Sequence, residues 1–257
     1  MNPLAADTTA FLLLGFLLGL KHALDADHLI AISTIVSERR GWLSSGITGA
    51  LWGIGHTAAL LAVGVVVTLL GLHIPDKLAI AMELAVALML IILGANVLRQ
   101  LWRGGTVHLH VHSHDGTTHI HPHVHTVEET QGHDIAHFHH SFSLAALIQR
   151  TTKHIHKGRR TVLIGMVHGM AGSAALMLIV LAALPSATLR LLYVTVFGIG
   201  SIGGMLMMSM VVGLPFLWTA NRFGKLNSAV RGLAGFVSVG FGVYLAWQIG
   251  IAEQLFF

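Results

Sequence analysis

His22-Ala23-Leu24-Asp25-Ala26-Asp27-His28 stands between two apolar runs, Phe11-Leu-Leu-Leu-Gly-Phe-Leu-Leu-Gly-Leu20 and Leu29-Ile-Ala-Ile-Ser-Thr-Ile-Val36. Two imidazoles and two carboxylates thus interrupt what otherwise reads as one membrane-crossing segment. Ionisable groups at bilayer depth are costly and rare, and they line ion or substrate paths or pair with one another. The bland alternative is a self-satisfied polar knot that pins a helix. Imidazole nitrogen with carboxylate oxygen is ligand chemistry for a borderline divalent metal such as nickel, cobalt or zinc. On a regular helix of about 100° per residue, His22, Asp25 and His28 share a broad face while Asp27 points about 140° away from His22. Either a carboxylate supports a ligating imidazole from behind, accepting its other N–H, or the helix is distorted so that all four groups converge.

Outward from this stretch, hydrophobic residues make up 54% of the chain and charged residues 10%, against roughly a quarter charged in soluble domains. The chain reads as an all-α polytopic membrane protein. Six spans are expected, at about 8–36, 44–71, 78–102, 160–183, 187–213 and 229–251, each near or above the ~20 residues that cross a bilayer. The first apolar run follows an uncharged start and lacks a small-residue cleavage site, so no cleavable signal is evident. Cysteine is absent, which excludes disulfides, thiolate metal sites and cysteine nucleophiles.

Basic residues are unevenly shared among the connections. Arg39, Arg40, Arg99, Arg103, Arg150, Lys153, Lys157, Arg159, Arg160, Arg222, Lys225 and Arg231 flank alternate connections, and Lys77 and Arg190 alone fall on the others. The positive-inside rule then puts the long connection in the cytoplasm and both termini outside. The net charge of +4 reports orientation rather than nucleic-acid binding, because no separate basic domain exists.

The two halves of the chain align. Gly19-Leu-Lys-His22-Ala-Leu matches Gly165-Met-Val-His168-Gly-Met, and Trp52-Gly-Ile-Gly-His56 matches Phe197-Gly-Ile-Gly-Ser201, with separations of 34 and 33 residues between the paired positions. Weaker echoes reach Gly94 and Gly242. Three spans per half is odd, so the expectation is a 3+3 inverted repeat, with its site at the repeat interface beside Gly-interrupted helices. Close helix packing alone also enriches glycine. The expected divisions are a first repeat at 1–103, a loop at 104–158 and a second repeat at 159–257.

Repeat-related position singles out His56 and His168, each among glycines. The candidate metal set is therefore His22, Asp25, Asp27, His28, His56 and His168. Glu83, Ser173 and Ser201 are candidates for the path or for support behind the ligands; snorkelling serves Glu83 equally well, and helix packing the two serines. Met205, Met207, Met208 and Met210 form a stripe of the kind that fills gaps between helices. A ligating imidazole must be neutral, so metal binding should weaken as pH falls through the ordinary histidine range near ~6.5.

His22, Asp27 and His28 form the pattern His, four residues, Asp-His, which resembles the signature of the nickel/cobalt transporter family and of the related urease-accessory-type nickel permeases. Gly55-His56-Thr57 resembles that family's Gly-His-Ser/Thr element, and Gly165-Met-Val-His168-Gly-Met-Ala-Gly-Ser173 resembles the fourth-span element of the shorter permeases. The resemblance implies transport of Ni2+ or Co2+, usually uptake, with the first-span residues as main determinants, in the cell (inner) membrane. Typical eight-span members carry the motif in their second span, whereas here it lies in the first, so their cytoplasmic N-terminus does not carry over.

Residues 104–158 hold fourteen of the nineteen histidines. His108, His110, His112 and His114, then His119, His121, His123 and His125, alternate with other residues at the strand period. Folding about Asp115-Gly-Thr-Thr118 pairs 114 with 119, 112 with 121, 110 with 123 and 108 with 125 on one face. Pro122 restricts the second strand to an edge, and an isolated hairpin is marginal in water, so metal capture is the expected use and a disordered linker the alternative.

No enzyme activity and no resident cofactor are expected beyond the transported ion. The expected partners are a divalent metal ion, the lipid bilayer and cytosolic metallochaperones. Efflux of the same metals is the nearest alternative, since residue identity does not set direction. An intramembrane metal-dependent hydrolase is a further one, against which stands the lack of a His-Glu-x-x-His pattern. A purely structural membrane partner leaves the repeated histidines unexplained.

Overall fold

The computed structural model describes residues 3–39, 41–71, 75–103, 107–114, 117–124, 158–170 and 184–252. In chain order these form α1 (Pro3–His22), α2 (Ala26–Val36), α3 (Trp42–Leu70), α4 (Asp76–Trp102), a hairpin of β1 (Val107–His114) and β2 (Thr117–Val124), α5 (158–170), α6 (Ala187–Arg222) and α7 (Gly224–Ala252). Four of the helices, α3, α4, α6 and α7, are long and apolar enough to cross a bilayer, and the bent pair α1–α2 passes the same test as one broken span. The protein is an integral membrane protein. Its outer surface is apolar, with Ile92, Leu233 and Phe236 each more than half exposed, while Ser45, His56, Ser201, Ser209 and Ser238 are fully buried. A lipid solvent accepts apolar side chains and leaves polar groups to find partners inside.

The expected first span is thus two helices. Leu24 N–H donates to Lys21 O at 2.8 Å and Asp25 N–H to His22 O at 3.1 Å, so α1 closes in short i→i+3 turns. Asp25 then adopts extended backbone as the N-cap of α2, and Leu29 N–H returns to Asp25 O at 3.0 Å. The two helices meet at 55°. Farther along α2, Ser33, Thr34 and Ser37 each donate a hydroxyl to the carbonyl three residues back at 2.7 Å. These hydroxyls satisfy themselves on their own helix and need no outside partner.

The second, third and sixth expected spans appear as α3, α4 and α7. Residues 158–170 of the fourth are helical, and 171–183 lie outside the described residues. The fifth is longer than expected, since α6 runs through Pro215 to Arg222. Beyond that proline, Thr219 Oγ1 donates to Pro215 O at 2.7 Å, and Asn227 Nδ2 of α7 donates to Thr219 Oγ1 at 2.9 Å and to Phe216 O at 3.0 Å.

Helix α6 is the axis of the bundle: α1 and α3 both pack along it, and α4 packs along α7. Glycine makes these approaches possible. A Cβ on Gly19 would collide with Phe197 O, and one on Gly165 with Trp52 O; a Cβ on Gly200 would collide with Phe16 O, and one on Gly55 with Val162 O. Across α4 and α7, a Cβ on Gly94 would lie 2.5 Å from Gly235 O, and one on Gly242 would lie 2.7 Å from Ala87 O. The contacts come in pairs that the sequence alignment of the two halves exchanges.

The hairpin corrects the expected register. His108 pairs with His123, His110 with His121, His112 with His119 and His114 with Thr117. The first strand runs to His114 and the second starts at Thr117, so the strands come two residues closer in sequence than the four-residue turn the sequence predicts. Three His–His pairs survive the shift because a two-residue slip preserves the face. His125 and the rest of the loop lie outside the described residues.

Candidate metal centre

The break between α1 and α2 brings the motif together. His22 is the last residue of α1, and Asp27 and His28 lie in the first turn of α2, where the exposed N–H groups and the helix dipole favour a carboxylate. Asp27 Oδ1 accepts from the His28 backbone N–H at 2.9 Å and lies 3.0 Å from His28 Nδ1. From α3, His56 Nε2 lies 3.2 Å from His22 Nε2. Two nitrogens bound to one ion at ~2.1 Å, at angles between octahedral and tetrahedral, are separated by about 3–3.4 Å. From α5, His168 Nε2 meets Asp27 Oδ2 at 2.9 Å.

Two groups of three ligand-bearing residues result, His22/His28/His56 and Asp27/His28/His168, each with its ligand atoms within 4.8 Å of one another. His28, His56 and His168 are buried, at 2%, 0% and 2% exposure. His28 Nε2, His56 Nδ1 and His168 Nδ1 are buried with no hydrogen-bond partner among the described residues. Buried polar atoms left so are expensive, and an imidazole nitrogen is satisfied by a metal as well as by a hydrogen bond. The donor set, imidazole with carboxylate and no thiolate, suits nickel, cobalt or zinc.

Each expected residue has a definite place. Asp25, half exposed, stays outside both triads and holds His22 Nδ1 at 2.7 Å, an arrangement that fixes ring orientation and directs Nε2 inward. Ser201 is fully buried, and its hydroxyl donates to Gly19 O at 3.2 Å in the last turn of α1, so it supports the helix end. Glu83 is exposed on α4 and joins neither triad. Ser173 lies outside the described residues. His168 is delivered by the α3–α5 glycine contacts, in which a Cβ on Gly169 would meet His56 O.

The sequence reading missed Trp52. Its buried ring lies 5.2 Å from that of His28 and 5.3 Å from that of His168, centroid to centroid. The available signal was spacing, because Trp52 precedes His56 by four residues and therefore shares its helix face.

No family model matches the chain, and no solved structure matches it. Over 253 residues, 97% of this chain and 96% of the relative, it is 32% identical to the urease accessory protein UreH of Bacillus sp. (strain TB-90).

Proposed function

Because the chain belongs to the UreH family of urease accessory proteins, the branch of the nickel/cobalt transporters that its first-span motif resembles, we propose that it carries Ni2+, with Co2+ as a second substrate, into the cytoplasm. Its relative serves an enzyme, and the intramembrane-hydrolase alternative falls with that membership. The observation that supports transport best is the convergence of His22, His28 and His56 at the break in a span. In this reading the three imidazoles hold the ion, Asp25 and Asp27 hold the far nitrogens of His22 and His28, and His168 anchors Asp27 from the second half of the chain.

The scaffold of this reading is six spans in two inverted repeats, 1–103 and 159–257, with the loop 104–158 in the cytoplasm and both termini outside. The paired glycine contacts support it. The site then sits near the midplane of the inner membrane, where broken helices of transporters place theirs. Metal flux into proteoliposomes, with and without pH and voltage gradients, is the test. Saturable Ni2+ entry supports the proposal, and a folded, reconstituted protein that passes neither Ni2+ nor Co2+ defeats it.

Orientation has its own measurement. A Thr130→Cys protein, otherwise free of cysteine, is expected to resist an impermeant thiol reagent in intact cells and to react once they are opened. Labelling in intact cells overturns the assignment of the loop to the cytoplasm.

The hairpin's alternating histidines suit metal capture on the cytoplasmic side and handover to metallochaperones. Deleting residues 105–127 is expected to lower cellular nickel accumulation at limiting metal while flux in proteoliposomes continues, because such a loop tolerates change when no core contact is lost. Complete loss of flux by the inserted deletion protein assigns the loop to the path instead.

A further inference from the structure

The two triads share His28 alone. Its Nδ1 faces Asp27 Oδ1 at 3.0 Å, on the side where Asp27 Oδ2 meets His168. Its Nε2 is buried and has no hydrogen-bond partner among the described residues. In the other group, His22 Nε2 and His56 Nε2 stand 3.2 Å apart, and one ligand atom of His28 lies within 4.8 Å of theirs. The ring packs against both groups, its centroid 4.4 Å from that of His22 and 4.2 Å from that of His168. We propose that the ion occupies two adjacent and mutually exclusive positions, one on each nitrogen of His28, and passes from the first half of the protein to the second by changing nitrogen. This rests on the transport reading and adds a second position to its site.

Exclusivity follows from the chemistry of imidazole. A neutral ring carries one N–H and one lone pair, so it binds a single ion at a time. In the first position the ion has three imidazole nitrogens, and the Nδ1–H of His28 donates to Asp27. In the second it has Asp27 oxygen, His28 Nδ1 and His168 Nε2. The His28 proton then resides on Nε2 and the His168 proton on Nδ1, so each ring keeps one proton and no proton is gained or lost. His168 Nδ1 is also buried and without a partner among the described residues, so it is free to take that proton. The ligand sets differ in charge, all-neutral against one carboxylate, so the second position holds a dication more strongly electrostatically and the ion moves toward the half that bears His168.

The test uses Co2+ on the full-length protein in detergent, read by titration calorimetry and by the visible d–d spectrum, together with flux in proteoliposomes. Wild type is expected to bind one Co2+. His56→Leu, which keeps the stronger position, is expected to bind one ion with affinity within about twofold of wild type, and His168→Leu to bind one ion with affinity reduced roughly tenfold or more; their spectra should differ, since one retains a carboxylate oxygen and the other only imidazoles. Neither is expected to carry metal. His56→Gln and His168→Gln serve where the leucine variants do not yield monodisperse protein. Two ions bound by wild type, complete loss of binding in the His56 variants, or unchanged flux in the His168 variants overturns the two-position scheme. In those three outcomes wild-type flux persists and the transport reading stands; absence of wild-type flux is the separate failure of that reading.

Discussion

A His28→Leu protein is expected to bind no nickel and to carry none, the largest loss from any single change at the site. His28 is the one residue common to both triads, and it sits among His22, His56, His168 and Trp52 rings at centroid distances of 4.2–5.2 Å. Leucine is close to histidine in volume, so the change leaves no large cavity and removes a buried nitrogen that lacks a hydrogen-bond partner among the described residues; folding should survive. The comparison is Asp25→Ala, which loses only the exposed carboxylate behind His22 and should weaken binding about 10–100-fold, as removal of such supporting groups does elsewhere. Calorimetric titration with Ni2+ and flux in proteoliposomes measure both. Undiminished flux through correctly inserted His28→Leu protein sinks the site.

Gly165→Leu is expected to destabilise the fold by about 3 kcal/mol or more, the upper end of what overpacking costs. Its Cβ would collide with Trp52 O and come 3.0 Å from Trp52 Cδ1, and a main-chain obstacle cannot rotate away. To make room, α5 must withdraw from α3, and His168 withdraws with it. Thermal unfolding in detergent should therefore fall well below wild type. Gly240→Ala is the control: nothing lies within 4 Å of the position a Cβ would take, so a change within ~0.5 kcal/mol is expected. Equal stability of the two variants refutes the close α3–α5 approach.

The spans were legible because lipid leaves a strong record in hydropathy, and α3, α4 and α7 lie within a few residues of expectation. The position of the break was not. Geometry on an ideal helix showed that Asp27 and His22 diverge, which demanded either distortion or a supporting role, and the structure contains both. Asp25 caps α2, while Asp27 rests on its first turn between His28 and His168. His56 and His168 were legible from the comparison of the halves and from the family elements that contain them, since a lone buried histidine says nothing about its neighbours. Ser201 illustrates the limit of that comparison. It matches His56 in the alignment, yet its hydroxyl reaches a carbonyl of α1, because side-chain identity, not register, decides what a matched position does. The hairpin shows how turn length moves a register while strand period still preserves the face.

Asp27 and His168 are separated by 141 residues of chain, and that separation bears on how the protein is made. The ribosome delivers α2 long before α5 exists. At 5–20 residues per second the carboxylate waits on the order of ten seconds for its imidazole. A lone Asp near the centre of an apolar helix costs about 3 kcal/mol on insertion scales. Until α5 arrives its partners are local, the backbone N–H and Nδ1 of His28 at 2.9 and 3.0 Å. The bend between α1 and α2 thus sets the carboxylate at a helix start, where it has the His28 N–H as a partner before His168 is made.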